Sequence, residues 1–263
     1  MSSELVTYEL EGKVALIGLN RPEKRNALNE ELINALGAAV QRAGEEADAG
    51  VLFGHGPNFS SGLDLAELAA RLAPGAPMPR KRRPRNLWHA TFDLIARGNV
   101  PFVAALHGAT VGGGLELAAA AHIRVADETC FFGLPEGRRG IFVGGGGSVR
   151  IQRIIGYSTM ADMMLTGRML TAAEGKEYRL AQYVVGPGGA LAKAKELAQL
   201  IAGNTANTNW MIMNVLPRMN DMSHDDGLFM EYLNSSMTRP PETLERLNDF
   251  LERRAKPLER PVK

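Results

Sequence analysis

Gly112-Gly113-Gly114-Leu115-Glu116-Leu117-Ala118 follows the apolar run Phe102 to Leu106 and leads into Ala119-Ala120-Ala121. Read outward from the glycines, this is a strand, a turn and a strong helix former. The first N–H groups of a helix have no intrahelical partner, and the helix dipole favours negative charge there. Glycine lets that backbone approach a ligand closely. The stretch therefore predicts half of an oxyanion hole, one free N–H at a helix start. Similar runs flank it. Leu5 to Leu10 and Val14 to Leu19 surround Glu11-Gly12-Lys13 and predict a hairpin. Val51 to Phe53, Ile123 to Ala126 and Cys130 to Leu134 predict further strands. Asn29, ahead of Glu30, Glu31 and the rhythm Leu32, Leu36, Ala39, Val40, predicts a capped helix. Strands alternating with helices indicate an α/β fold with parallel pairing.

The 263 residues include 29 glycines, and seven of these form two runs, Gly112 to Gly114 and Gly144 to Gly147. Flexibility does not explain the excess, because a 45% hydrophobic content supplies enough apolar surface for a folded core. A net charge of +1 gives no global argument for nucleic acid or a membrane surface. Cys130, the single cysteine, excludes an internal disulfide and a thiolate-rich metal site. The histidines show no metal-ligand spacing. No apolar run approaches a membrane-spanning length, and Met1 to Leu10 does not read as a secretory signal, so a cytoplasmic location is expected. After residue 189 glycine becomes scarce and the patterns are helical, with six methionines between Met211 and Met237 read as apolar filling or subunit interface. The expected division is a core over 1–195 and a helical region over 196–263. Pro74 to Arg85, rich in proline and cations, reads as a solvated surface loop, with a lid near an anionic ligand as the sharper alternative.

Neither glycine run completes a phosphate motif. No Lys-Ser or Lys-Thr follows either one, and the third position of G-x-G-x-x-G is Leu117 after the first and Arg150 after the second. A second free N–H is expected from Phe59-Ser60-Ser61-Gly62-Leu63-Asp64-Leu65, which leaves a strand and enters a helix that Asp64 can cap. Glu116, in the first turn after the glycines, and Glu136, after Pro135, are two acids near these loops. Two carboxylates facing one cavity raise at least one pKa and give acid/base capacity beside a polarised carbonyl.

In this order and spacing the residues resemble the enoyl-CoA hydratase/isomerase (crotonase) superfamily over essentially the whole chain. Asn20-Arg21-Pro22-Glu23-Lys24-Arg25-Asn26-Ala27-Leu28 resembles its CoA-binding turn. The loop at Leu63 and the run at Gly113 resemble its two oxyanion donors. Phe132-Gly133-Leu134-Pro135-Glu136 resembles the segment with the second acid, and Phe250-Leu251-Glu252-Arg253-Arg254 its C-terminal helix. The resemblance implies a spiral of ββα units, a helical C-terminal trimerisation region, and a homotrimer or a hexamer built from two trimers. It implies an acyl-CoA substrate, with CoA contacts from Lys24, Arg25, Ala27, Ser61 and Asp64, and Arg254 or Lys256 reaching a neighbouring subunit's CoA. CoA is part of the substrate, and no separate cofactor or metal is implied.

Acids at both Glu116 and Glu136 resemble the hydratases, which add water to a trans-2-enoyl-CoA. Glu116 is assigned as base and Glu136 as acid, with the reverse left open by sequence. A dienoyl isomerase would show an acid where this chain has Gly144. Two alternatives stand beside hydration: 3,2-enoyl-CoA isomerisation with Glu136 moving one proton, and a non-catalytic acyl-CoA binder of the same fold. Ile141-Phe142-Val143, where relatives often have Ile-Pro, and the bulk of Leu63, Arg138 and Arg139 leave the acyl group open. The second glycine run is read as close packing beside Glu136, and Trp88 as core or acyl-pocket lining.

Overall fold

A computed structural model describes residues 4–76, 86–237, 241–252 and 254. Pro77 to Arg85, the larger part of the basic loop, lies outside them, as does Lys256. The chain opens with β1 (Val6–Glu11) and β2 (Val14–Leu19), an antiparallel hairpin turning at Gly12. Then come α1 (Glu30–Glu46), β3 (Ala49–Gly54), α2 (Leu65–Leu72) and α3 (Leu87–Arg97). The middle of the chain holds β4 (Phe102–Leu106), β5 (Ala109–Val111), α4 (Gly113–Ala118), β6 (Ile123–Asp127) and β7 (Phe131–Gly133). After it follow α5 (Gly147–Ile155), α6 (Tyr157–Thr166), β8 (Met169–Thr171), α7 (Ala172–Glu177), β9 (Tyr183–Val185) and α8 (Ala190–Ala202). Helices α9 (Ala206–Asn214), α10 (Leu216–Met219), α11 (His224–Met237) and α12 (Pro241–Leu251) complete it.

Six strands form a sheet in the order β1-β2-β3-β4-β6-β9, parallel from β2 onward. Successive side chains on a strand point to opposite faces, and here both faces are covered. Ala15, Ile17, Leu52, Ala104 and Leu106 join one core cluster, which includes Leu32, Leu36 and Val40 of α1. Val14, Leu16, Val51, Val103 and Ala105 face the other, built with Ala194, Leu197 and Ala198 of α8. Burial on two sides explains why these strands read as continuous apolar runs.

A second sheet, β5-β7-β8, builds the site. Each turn β4–β5–α4 and β6–β7–α5 places one strand in the large sheet, one in the small, and then a helix, which is the ββα spiral expected from the resemblance. Strand β5 corrects the sequence reading of the first glycine run. The run follows this three-residue strand and not Phe102–Leu106 directly.

The contact division of the chain falls between Gly203 and Asn204. The boundary read at 195/196 lies inside α8, which continues to Ala202 because its apolar face packs on β3, β4 and β6. Within the second unit α9, capped by Thr205, contacts α10, and α10 contacts α11. Phe229, Tyr232, Leu244 and Phe250 of this unit are exposed, and of its six methionines Met213 alone is buried, so filling a core does not account for the others. No helix among the described residues is long and apolar enough to cross a membrane.

Candidate active site

The two N–H loops are knitted together by backbone pairing. Ser60 pairs with Thr110 in a parallel bridge, the Ser60 N–H donating to Ala109 O at 2.9 Å and the Val111 N–H to Ser60 O at 3.1 Å. One step on, Leu28 pairs with Leu63: the Leu28 N–H donates to Gly62 O at 2.7 Å and the Asp64 N–H to Leu28 O at 2.9 Å. That pairing uses the peptide groups on either side of Leu63 and leaves its N–H facing the other way. On the second loop Gly112, at φ +53° and ψ −124°, makes a turn that a side chain would strain. Gly113 then opens α4 with a free N–H. The Leu63 nitrogen is 3.4 Å from the point a Gly113 Cβ would occupy. Among the described residues neither the Leu63 nor the Gly113 N–H donates to a protein acceptor. Two N–H donors without a protein acceptor among the described residues thus lie close together.

The acids occupy different surroundings. Glu116 is buried on α4, and its Oε1 accepts N–H bonds from Gly145 and Gly147, both at 2.8 Å. Two donors converging on one oxygen hold the carboxyl in one orientation. Glu136, also buried, follows β7 and Pro135; its Oε1 stands 2.9 Å from the Cβ position of Gly112, while its Oε2 is buried with no hydrogen-bond partner among the described residues. Burial pushes Glu136 up to about 7, and the charge of Glu116 adds to the rise; its own backbone N–H and Arg139 oppose it. The sequence reading of the second glycine run is corrected here. The run packs on Glu116, not beside Glu136, because α5 begins opposite α4 and points its first N–H groups at that side chain.

A cleft of about 400 Å³ is lined by Lys24, Arg25, Ala27, Ser61, Leu63 and Asp64, among others. The five residues expected at the CoA site thus meet in one place. A smaller cavity of about 20 Å³, room for one water molecule, is lined by Leu63, Gly113 and Glu136 and shares Ser61, Leu65, Val111 and Arg139 with the cleft. Glu116 lines neither of these two cavities. Arg139 faces both, whereas Arg138 packs against Gly167. Arg254 pairs with Asp249 of α12 and with Glu252 just beyond it.

Asp64 does cap α2, accepting from the Ala66 and Glu67 N–H groups, and it also pairs with Arg21 at 3.1 Å. Burial works against its charge, but the Arg21 guanidinium and the two N–H groups outweigh that and hold the carboxyl below its ordinary range. Three positioning residues escaped the sequence reading as such. Arg21 Nη1 also donates to Ala27 O at 2.7 Å. Asn26, fully buried in the left-handed region, donates its amide to His55 O and Asn58 O. Ser60 Oγ donates to Asn26 O and accepts the Gly62 N–H, tying the cleft turn to the loop that carries Leu63. An Asn within a turn was the available signal, since Asn tolerates left-handed backbone.

Fold and site define a crotonase-type α/β protein with a paired N–H site and two buried glutamates. A family model described as Enoyl-CoA hydratase/isomerase matches residues 9–260, and the chain belongs to that family. It is 35% identical to Enoyl-CoA hydratase EchA19 of Mycobacterium tuberculosis over 74% of each chain. A solved structure from Rhodopseudomonas palustris is 43% identical, with TM-score 0.85 over 95% of both chains. The enoyl-CoA hydratase of Bacillus anthracis superposes with TM-score 0.86 at 29% identity, covering 95% of this chain and 96% of that one.

Proposed function

We propose that the protein hydrates a trans-2-enoyl-CoA thioester to a 3-hydroxyacyl-CoA. The observation that carries this reading is that Glu136, with a buried Oε2 that has no hydrogen-bond partner among the described residues, shares one small cavity with the free N–H groups of Leu63 and Gly113. A thioester oxygen on the Leu63 and Gly113 N–H groups gains negative charge as C3 is attacked, and fixed donors stabilise that charge without reorganising. Glu116 takes the proton from water as its oxygen bonds to C3. Glu136 delivers its own proton to C2, and exchange with solvent restores both acids. The assignment follows the surroundings: an oxygen that accepts two N–H bonds belongs to an acceptor, while an acid raised to about 7 holds its proton near neutrality. Lys24 and Arg25 would meet the CoA phosphates, with Ala27, Ser61 and Asp64 bordering the same cleft. The reaction requires no metal and no separate cofactor. The exposed apolar residues of the helical unit fit assembly into a trimer or hexamer, and a cytoplasmic location fits this chemistry.

Glu116→Gln and Glu136→Gln, made separately and assayed with a short enoyl-CoA, are each expected to lower turnover by roughly 10²-fold or more while acyl-CoA binding survives. Unchanged turnover in either variant removes that residue from the mechanism. A second reading, 3,2-enoyl-CoA isomerisation by Glu136 alone, draws on the acid that lines the small cavity with both N–H donors. Mass spectrometry separates the two, since hydration adds one water and isomerisation adds none.

A further inference from the structure

An aromatic pair on α3 bears on the acyl group. Trp88 and Phe92, one turn apart, meet edge to face with ring centroids 5.7 Å apart and planes at 65°. At one end, Trp88 Cζ3 and Cη2 stand 2.7 and 3.2 Å from the Cβ position of Gly113, the point that lies 3.4 Å from the Leu63 nitrogen. The benzo edge of the indole therefore stands against Gly113, on the side where the Leu63 nitrogen also approaches, although Trp88 lines neither of the two cavities. At the other end, Phe92 Cε2 is 2.7 Å from the Cβ position of Gly145, and Glu116 Cδ is 3.3 Å from that same point. The pair spans the distance from the oxyanion donors to Glu116.

The start of α3 is pinned to the site as well. Asn86 Oδ1 accepts the Trp88 N–H at 2.9 Å, and the Asn86 amide donates to Gly144 O at 3.4 Å. Phe92 is fully buried, whereas Trp88 keeps part of its surface exposed. Of the two rings, Trp88 is the one with area left for a ligand.

We propose that Trp88 is the specificity-determining wall of the acyl site and restricts the protein to short enoyl groups, an inference that rests on the acyl-thioester reading above. With the thioester oxygen on Leu63 and Gly113, C2 and C3 lie towards the two glutamates, and carbons beyond C3 meet the indole edge. A rigid aromatic wall gives a short planar enoyl group apolar contact, and it leaves a longer chain without room unless α3 moves.

The chain has two tryptophans, Trp88 and Trp210. In a Trp210→Phe background, indole fluorescence reports Trp88 alone, and saturated butanoyl-, hexanoyl-, octanoyl- and decanoyl-CoA serve as unreactive probes. Butanoyl-CoA is expected to perturb the emission and to bind more tightly than decanoyl-CoA. Trp88→Ala is expected to raise the decanoyl-to-butanoyl affinity ratio by roughly 10-fold or more, and kcat/KM for the corresponding enoyl thioesters in the same sense. Trp88→Leu, closer in bulk, guards against loss of folding and should move the ratio in the same direction by less. An unchanged ratio in both folded variants, or an emission that no bound acyl-CoA alters, overturns the assignment of Trp88. Length-dependent binding that shifts with Trp88 but without turnover of any enoyl-CoA supports the wall and overturns the hydratase reading instead.

Discussion

The two glycine runs are alike in composition and opposite in use. Gly112 to Gly114 turns backbone outward, so that the Gly113 N–H stands free beside the Leu63 N–H. Gly144 to Gly147 turns backbone inward, so that two N–H groups close on Glu116. The acid that touches the first run receives nothing from it: Glu136 lies against Gly112, and its Oε2 has no partner among the described residues. A glycine-rich helix start is a set of donors without an assigned acceptor, and its role is decided by what the fold places opposite. In one case that is open space beside a cleft, in the other a protein carboxylate.

The sharpest way to break this contrast is at Gly147. A Cβ there would stand 2.7 Å from Glu116 Cγ and 2.8 Å from Oε1, inside any ordinary contact distance. Gly147→Ala should push the carboxyl off its two donors. If Glu116 is the base proposed above, its loss is worth roughly 10²-fold or more, and kcat should carry it while KM for the thioester stays near wild type, because the cleft is untouched. Steady-state kinetics measures the split. A loss carried mainly by KM would mean that the second run serves binding and not Glu116.

The carboxyl whose Oε2 has no donor among the described residues makes the second test, one of pH. Burial raises Glu136 to about 7 in the folded chain, above its ordinary value of 4.5. A raised folded value stabilises the protonated form, so this contribution is fully present below about pH 4.5 and is lost as pH rises through about 7. Glu136→Gln keeps the shape and stays neutral at every pH. Urea midpoints at pH 5 and pH 8 should therefore show the variant gaining on wild type as pH rises. Parallel midpoints would mean that Glu136 is solvated or paired in solution, and the proton assigned to it would lose its physical basis.

How much of this was legible in the sequence depended on range. The continuous apolar runs Val14 to Leu19 and Phe102 to Leu106, the cap at Asn29 and the cap at Asp64 are local, and local physics predicts them. The extra role of Asp64 as partner of Arg21 spans 43 residues and left no local trace. Strands β5, β8 and β9 have three residues each, too few to show a period, and they exist because non-local neighbours pair with them. The second glycine run was recognisable as a helix start, but its acceptor was not. Glu116 lies 29 and 31 residues from its donors, whereas Glu136 is the acid nearer in sequence. The bond from Ser60 Oγ to Asn26 O is of the same kind, since it joins two loops that only the folded sheet brings together.

Gly144 supplies the smallest expected effect and the control for the largest. It opens the same run three residues before Gly147, yet a Cβ there meets nothing within 4 Å, and its φ lies outside the left-handed region. An alanine keeps the backbone N–H and C=O, including the carbonyl that accepts from Asn86. Gly144→Ala should leave kcat and KM within experimental error and change stability by no more than about 0.5 kcal/mol. It could be slightly favourable, because alanine has less freedom to lose on folding than glycine. If the run served as a flexible hinge, stiffening it at 144 would cost nearly as much as at 147. If instead it is a fixed cradle, the two alanines differ by the full 10²-fold or so assigned to the base. Comparing them side by side measures shape separately from flexibility, at two positions of one glycine run.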